Sequence, residues 1–362
     1  MSPEAPSVHE LVTPALVVDL DLLQRNVTDM ASYAATQGFV LRPHAKTHKT
    51  PRIADLQRHA GALGLTVATV GEAEVFADAG HTDLFVAYPL WLDADRTARI
   101  RALLDRASLV VGVDSAEGAR RLAAQIGDDR DRLRVRVEVD SGHHRSGVAP
   151  EEAGDVAEAA ERAGLVVDGV FTFPGHSYSP GAPADVAGQE SDALGRAAAA
   201  LRRRGVDAVV VSGGSTPSAR ETTAGVLTEL RPGVYVFGDA QQWELAATTP
   251  DRIALTCWAT VVSHAGGRVV LDSGSKVIAA DRSSWATGHG RLLDHPDARI
   301  VHLSEHHAVV DGLTGALPPL GSHLRVVPNH VCNAVNLVDE LVIVQGGRVV
   351  DTWPVAARGA NT

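Results

Sequence analysis

What most limits the folds open to this chain is a change of pattern near residue 246. Before it, short apolar runs alternate with Ala- and Arg-rich helical segments; after it, short β-branched runs are separated by Gly, Pro and Asp turns. The first part predicts strands at 39–42, 65–70, 83–88, 108–113, 133–139, 167–173, 207–211 and 230–237, each followed by a helix or loop. Continuous apolar strands interleaved with helices require a parallel sheet covered on its outer face. Eight such units in about 230 residues is the size of a closed (β/α)8 TIM-type barrel, although an open doubly wound sheet would use the same alternation. The second part predicts strands at 254–263, 268–272, 299–303, 323–327 and 340–344, with Gly346-Gly347 separating two strand-like runs as a hairpin turn. The expected architecture is therefore α/β: a barrel over 14–246 and a smaller, mainly β domain over 247–362, joined by residues 1–20 with their proline-opened strand at 13–19. Helices are expected over 22–38, from about Thr50-Pro51, and ending at 197–204, and the tail 356–362 is expected to fray.

The stretch Arg42-Pro43-His44-Ala45-Lys46-Thr47-His48-Lys49 follows an apolar run, so it falls where a buried strand ends. Lys46 and Lys49 could be solvated loop charges. A lysine partly withdrawn from water, however, has its ammonium form destabilised, and its free amine becomes a usable nucleophile and base. Schiff-base chemistry needs such an amine.

Loops that follow barrel strands gather on the carboxyl face, where such barrels keep their active sites. Here those loops carry His44 to His48, Asp140 to Gly147, Pro174-Gly175-His176-Ser177-Tyr178 and Ser212-Gly213-Gly214-Ser215-Thr216-Pro217, and the last strand contains Arg231-Pro232-Gly233-Val234-Tyr235. The double glycine lets backbone amides approach an anion, the hydroxyls add donors, and Pro217 is placed to open a helix. An ordinary glycine-rich turn would look the same.

In the β part, Pro328-Asn329-His330-Val331-Cys332 follows an apolar run. On an extended chain residues two apart face the same side, so His330 and Cys332 could meet one ion. Imidazole with thiolate suits zinc, while a buried cysteine beside an incidental histidine is the plain alternative. The clusters His302/Glu305/His306/His307 and Asp272 to Lys276 are either parts of a site or simple turns.

Charge and cysteine usage exclude several classes. A formal charge of -11 argues against nucleic acid or an anionic membrane as partner. No apolar run is long enough to cross a bilayer, the start lacks the pattern of a signal peptide, and two cysteines, Cys257 and Cys332, cannot build a disulfide framework. A cytoplasmic protein is expected, acting on a small molecule.

Taken together the motifs resemble the fold-type III pyridoxal-phosphate enzymes, in the branch containing D-serine dehydratase, D-threonine aldolase and D-3-hydroxyaspartate dehydratase. The matching pieces are T-P-A-L-V-V-D-L-D at 13–21, R-P-H-A-K-T-H-K at 42–49, D-S-G-H-H-R-S-G at 140–147, P-G-H-S-Y at 174–178, S-G-G-S-T-P at 212–217, E-L-R-P-G-V-Y at 229–235, L-D-S-G-S-K at 271–276 and P-N-H-V-C at 328–332. They run in family order over nearly the whole chain. The resemblance implies an alanine racemase-like barrel followed by a β-domain, in a homodimer with shared active sites. It implies that Lys46 holds pyridoxal 5′-phosphate as a Schiff base, that Gly213, Gly214, Ser215 and Thr216 with Tyr235 cradle its phosphate, and that His176 and Tyr178 belong to the cofactor pocket. It further implies that Arg145 faces the pyridine nitrogen and that His330 and Cys332 hold Zn2+, with Mn2+ or Mg2+ as other candidates. Where the family often has Ser-Glu-Glu-His, this chain has Ser304-Glu305-His306-His307.

The activity so implied is dehydration and deamination of a D-β-hydroxy amino acid to a 2-keto acid and ammonia, with D-serine first and D-threonine or D-3-hydroxyaspartate after it. A D-threonine-type aldolase, giving glycine and an aldehyde, is the rival; in the family resembled, aldolases tend to carry aspartate where Cys332 stands. A racemase would leave the metal pair idle, and a non-catalytic cofactor-binding protein would have no use for the β-domain's ligands.

Overall fold

The computed structural model describes residues 6–362, so part of the expected 1–20 segment, residues 1–5, lies outside the described residues. The chain divides into two compact units. One comprises the residues up to Asp29, Thr47–Arg52 and Val234–Arg358, the other Met30–Lys46, Ile53–Gly233 and Gly359–Thr362. The first strand, β1 (Ala15–Asp19), belongs to the former, and α1 (Leu20–Gln37) runs from it into the latter.

The second unit is built on eight parallel strands: β2 (Val40–Leu41), β3 (Leu65–Val67), β4 (Asp83–Pro89), β5 (Ser108–Val113), β6 (Arg134–Glu138), β7 (Val166–Phe171), β8 (Val210–Gly213) and β9 (Glu229–Leu230). Their order is β2-β9-β8-β7-β6-β5-β4-β3. The two ends are brought together just beyond β2, where His44 bridges Thr66 and the Thr66 amide donates to the Pro43 carbonyl at 2.8 Å. Between strands run α2 (Pro51–His59), α3 (Val70–Asp78), α4 (Ala94–Leu104), α5 (Ala116–Ile126), α6 (Ala153–Arg162) and α7 (Pro183–Arg203). Thr69, Asp93 and Ser115 start α3, α4 and α5 by accepting the amides of Glu72, Arg96 and Gly118, groups that would otherwise lack a partner. On α5 the buried residues Ala119, Leu122, Ala123 and Ile126 fall at helical spacing and form the stripe that covers the sheet.

Inside the sheet lies an ionic layer rather than a purely apolar core. Glu229 accepts hydrogen bonds from Arg42 Nε (2.7 Å), an Arg136 Nη (2.6 Å) and Ser212 Oγ (2.7 Å). Arg42 also pairs with Asp83, and Arg136 with Asp168. Buried charges persist only when paired and hydrogen-bonded, and here each has at least two partners.

Several sequence expectations need correction. The strand expected over 230–237 stops at Leu230, because Pro232 has no amide to donate and Gly233 breaks the ladder; Val234–Val236 is a 3-10 turn. The strand expected over 65–70 ends at Val67, since Thr69 already caps α3. Pro217 opens no helix. Ser215 and Ser218 exchange side chain-to-backbone hydrogen bonds that close a local turn in competition with one.

The other unit carries β1 with β10 (Leu255–Ser263), β11 (Val269–Leu271), β12 (Gly290–Leu292), β13 (Arg299–Leu303), β14 (Ala308–Asp311), β15 (His323–Pro328), β16 (Glu340–Gln345) and β17 (Arg348–Pro354). The order is β11-β14-β13-β12-β15-β10-β1-β16-β17, and a further β10–β11 pairing closes six of these strands into a ring. All neighbours are antiparallel except β1 and β16. β12 and β14 were not foreseen in the sequence, being only three and four residues long. Gly346 and Gly347, both at positive φ, make the β16–β17 hairpin turn.

The tail does not fray. The Thr69 hydroxyl donates to the Ala360 carbonyl at 2.6 Å and the Gly71 amide to Thr362 at 2.8 Å, so the last residues are tied to the start of α3. Among the described residues no helix is long and apolar enough to cross a membrane.

Candidate active site

A cavity of about 510 Å³ opens in the parallel-sheet unit. Its walls come from the carboxyl ends of successive strands: His44 and Lys46 after β2, Tyr88 at the end of β4, Asp114 after β5, Arg145 and Ser146 after β6, Phe173 after β7 and Arg231 after β9. This is the face on which parallel barrels place their chemistry. Lys46 sits in the 3-10 turn Ala45–Thr47, half-buried, with Nζ 5.5 Å from the centroid of the Phe173 ring. The Arg145 guanidinium lies 5.1 Å from the same ring.

Arg231 is buried and held from several sides. Its Nε donates to Ser212 Oγ at 2.8 Å, an Nη donates to the Thr172 carbonyl, and its guanidinium stacks near Phe85 and Phe171. Burial lowers its pKa to about 10, with Glu229 and Glu190 pulling the other way. Glu138, at the end of β6, accepts from Ser146 Oγ at 3.0 Å and stands 3.7 Å from Arg145. Burial pushes its carboxyl pKa up despite those contacts.

Of the residues predicted to meet the cofactor, Lys46 and Arg145 come together on the cavity wall. His176 does not line it; its Nε2 meets Gln189 Oε1 at 3.0 Å and its ring stacks on His143, which in turn packs edge-on against Phe173. Tyr178 also packs near Phe173, 6.3 Å between centroids. The turn of Gly213, Gly214, Ser215 and Thr216 is joined to the wall through the Arg231 amide, which donates to the Gly213 carbonyl at 2.8 Å. Ser215 Oγ lies 2.8 Å from both Ser177 Oγ and Ser218 Oγ. Tyr235 is buried in the turn Val234–Val236 of the other unit.

An amine against an aromatic face, two guanidinium groups and a glycine turn with clustered hydroxyls form a donor set that suits a phosphorylated aldehyde. At Gly213 an added Cβ would stand 2.4 Å from Glu190 Oε1, and at Gly214 it would stand 2.9 Å from Leu230, so neither position has room for a side chain.

In the β-rich unit, His330 and Cys332 do come together, but not along an extended strand. His330 is the residue before a short helix, Val331–Val335, and Cys332 lies in its first turn. The two side chains are close enough for the sulfur to act on the imidazole electrostatically. The Cys332 thiol also donates to the Thr47 hydroxyl at 3.2 Å, and His330 Nδ1 is 3.5 Å from Asp239 Oδ2. Burial alone would lower the imidazole pKa, yet Cys332 and Asp239 together raise it well above its ordinary value. Asp239 is itself fixed by the amides of Gln242 and Val331. Among the described residues no group of three or more His, Cys, Asp or Glu side chains could enclose an ion; His330 and Cys332 could offer two ligands, and a nitrogen–sulfur pair of that kind suits zinc.

The remaining candidates have partners outside the cavity wall. Glu305, His306 and His307 are exposed between β13 and β14, and Glu305 pairs with Lys276 at 2.9 Å. Asp272 accepts from the Thr13 hydroxyl and the Thr260 amide. His144 is exposed and pairs with Asp140. Arg231, Phe173, Asp114 and Glu138 were not foreseen as site residues. Position after a strand could have pointed to Phe173 and Asp114, whereas Arg231 and Glu138 acquire their place only through their folded partners.

Residues 18–241 match the family of alanine racemase N-terminal domains, and residues 254–344 match the putative serine dehydratase domain. D-threo-3-hydroxyaspartate dehydratase from a Delftia strain is 35% identical over 349 residues, covering 89% of this chain and 91% of its own length. The crystal structure of D-threonine aldolase from Filomicrobium marinum superposes with a TM-score of 0.89 at 33% identity, over 99% of both chains. A metal-free cysteine-to-alanine mutant of D-threo-3-hydroxyaspartate dehydratase superposes with a TM-score of 0.88 at 32% identity, over 96% of this chain and 98% of that one.

Proposed function

This chain belongs to the alanine racemase-like, fold-type III family of pyridoxal-phosphate enzymes that carry a serine dehydratase domain, and from that premise we propose that it dehydrates and deaminates D-β-hydroxy amino acids. D-Serine is the first substrate to test, with D-threonine and D-3-hydroxyaspartate next. The observation that carries the choice is Cys332 beside His330: a soft sulfur ligand where the resembled aldolases tend to have a carboxylate. A D-threonine-type aldolase remains the second reading, favoured by the 33% identity to a D-threonine aldolase along the full chain.

When bound, the cofactor supplies an electron sink for charge developing at Cα and the zinc ion supplies a Lewis acid for the β-hydroxyl. Lys46 would hold the cofactor, and its amine would serve as the base that takes the α-proton. The Phe173 face covers one side of that amine and keeps water from it. Arg145 and Arg231 hold positive charge in the cavity and so favour an anionic ligand. His330 and Cys332 hold the metal, and Asp239 orients the His330 ring. In the net reaction the substrate loses its α-proton and β-hydroxyl as water, and hydrolysis of the resulting enamine yields the keto acid and ammonia. Family resemblance extends the proposal to a homodimer with shared active sites, and two free cysteines suit the cytoplasm.

Incubation with D-serine and with D-threonine, scored for keto acid plus ammonia against glycine plus aldehyde, tests the reading. Keto acid and ammonia are expected in equal amounts; glycine as the main product would make the protein an aldolase.

A further inference from the structure

Among the alanines and leucines on the inner face of α7 stands one fully buried acid, Glu190. A carboxyl there is costly unless its oxygens are satisfied, and here only one is. Oε1 accepts the Gly214 amide at 2.7 Å, whereas Oε2 has no hydrogen-bond partner among the described residues. Both glycines of the turn fit around this side chain. A Cβ at Gly213 would collide with Oε1, and Gly214 adopts φ +82°, a conformation that suits glycine. From the loop side Glu190 meets Gly213, Gly214 and the vicinity of Leu227, and the charged group that acts on it is Arg231. Burial raises its pKa to about 7 against the smaller pulls of the Gly214 amide and Arg231.

We propose that Glu190 is the positioning residue of the Gly213–Thr216 turn and that it takes up a proton from solvent when a phosphate ester docks on that turn. The inference rests on the reading that this turn holds the cofactor phosphate. A phosphate dianion brought near a carboxylate inside a low-dielectric wall disfavours the charged carboxyl. Protonation at Oε2 removes the repulsion and leaves Oε1 free to accept from Gly214. By linkage, phosphate-ester affinity is greatest while the carboxyl is protonated and falls as the pH rises above its pKa, by up to about tenfold per pH unit.

The test uses pyridoxine 5′-phosphate and pyridoxine, which share the ring and lack the aldehyde. Each is titrated calorimetrically into the full-length, cofactor-stripped protein, in buffers of different ionisation enthalpy on the alkaline side of neutrality. The ester is expected to bind more tightly and to take up more protons than pyridoxine, by as much as about one per site. Glu190→Gln, which keeps an acceptor for the Gly214 amide, is expected to abolish the excess uptake and flatten the dependence of affinity on pH. Tighter ester binding without excess uptake, or with the same excess in Glu190→Gln, overturns the inference alone. An ester that binds no tighter than pyridoxine overturns the reading of the turn as a phosphate site, and the inference with it. Should Glu190→Gln fail to fold by circular dichroism, the comparison of the two ligands on the wild-type protein decides.

Discussion

The Lys46 ammonium stands over the face of Phe173, 5.5 Å from the ring centroid, and Arg145 shares the same ring at 5.1 Å. One aromatic side chain thus sets the surroundings of both the amine and a cation of the cavity. Phe173→Leu retains bulk but loses the ring face, an interaction of about 0.5–2 kcal/mol. Cofactor retention, measured by equilibrium dialysis, is expected to weaken about 2- to 30-fold on that basis.

Asp239 is fully buried and lies 3.5 Å from His330 Nδ1, while the Gln242 and Val331 amides fix its carboxylate. Partners that orient a ligating imidazole commonly contribute about 10–100-fold to metal affinity. Asp239→Asn is therefore expected to weaken zinc binding in that range, read by competition with a chromogenic chelator, with little change in cofactor content.

Glu229 is held between Arg42 and Arg136, and although burial opposes ionisation, the two guanidinium groups and Ser212 lower its pKa to about 2. A folded pKa below the unfolded value means that its contribution to stability is full at neutral pH and is lost as the pH falls through the acid range toward about 2. Glu229→Gln leaves two buried arginines short of charge, and a loss of about 3–5 kcal/mol is expected at neutral pH. Thermal and denaturant unfolding across the acid range measure it; the gap between wild type and variant should narrow with acidification.

Cys257 is fully buried, and burial, followed by the charge of Asp272, pushes its thiol pKa far up. It should resist alkylation in the native protein and react only on unfolding, a contrast that mass spectrometry of iodoacetamide-treated samples resolves.

Which parts of this could be foreseen follows from the reach of local patterns. Eight apolar runs separated by helical spacing are local, so the parallel sheet was legible, as was the strand at 13–19 with its proline. The ends of the last barrel strand were not: Leu230 to Phe237 is apolar enough for a strand, and Pro232, with no amide to donate, and Gly233 after it stop it. β12 and β14 are held by their neighbours rather than by their own alternation. Lys46 and Arg145 could be picked out because each follows a strand in a distinctive loop. Arg231 and Glu190 could not, since a guanidinium bonded to Ser212 and a carboxyl under Gly214 acquire meaning only when residues 19 and 24 positions apart meet. His330 and Cys332 do lie side by side, but not for the reason expected, the chain being helical rather than extended at Cys332.

Central to the account is a covalent link between the Lys46 amine and an aldehyde cofactor. Borohydride reduction of the cofactor-loaded protein, followed by digestion and mass spectrometry, tests it most directly. A phosphopyridoxyl group on the peptide containing Lys46, absent from Lys46→Ala along with the near-visible absorbance band, is the predicted result. The same group on another lysine, such as Lys49, or an unchanged band in Lys46→Ala, would contradict it.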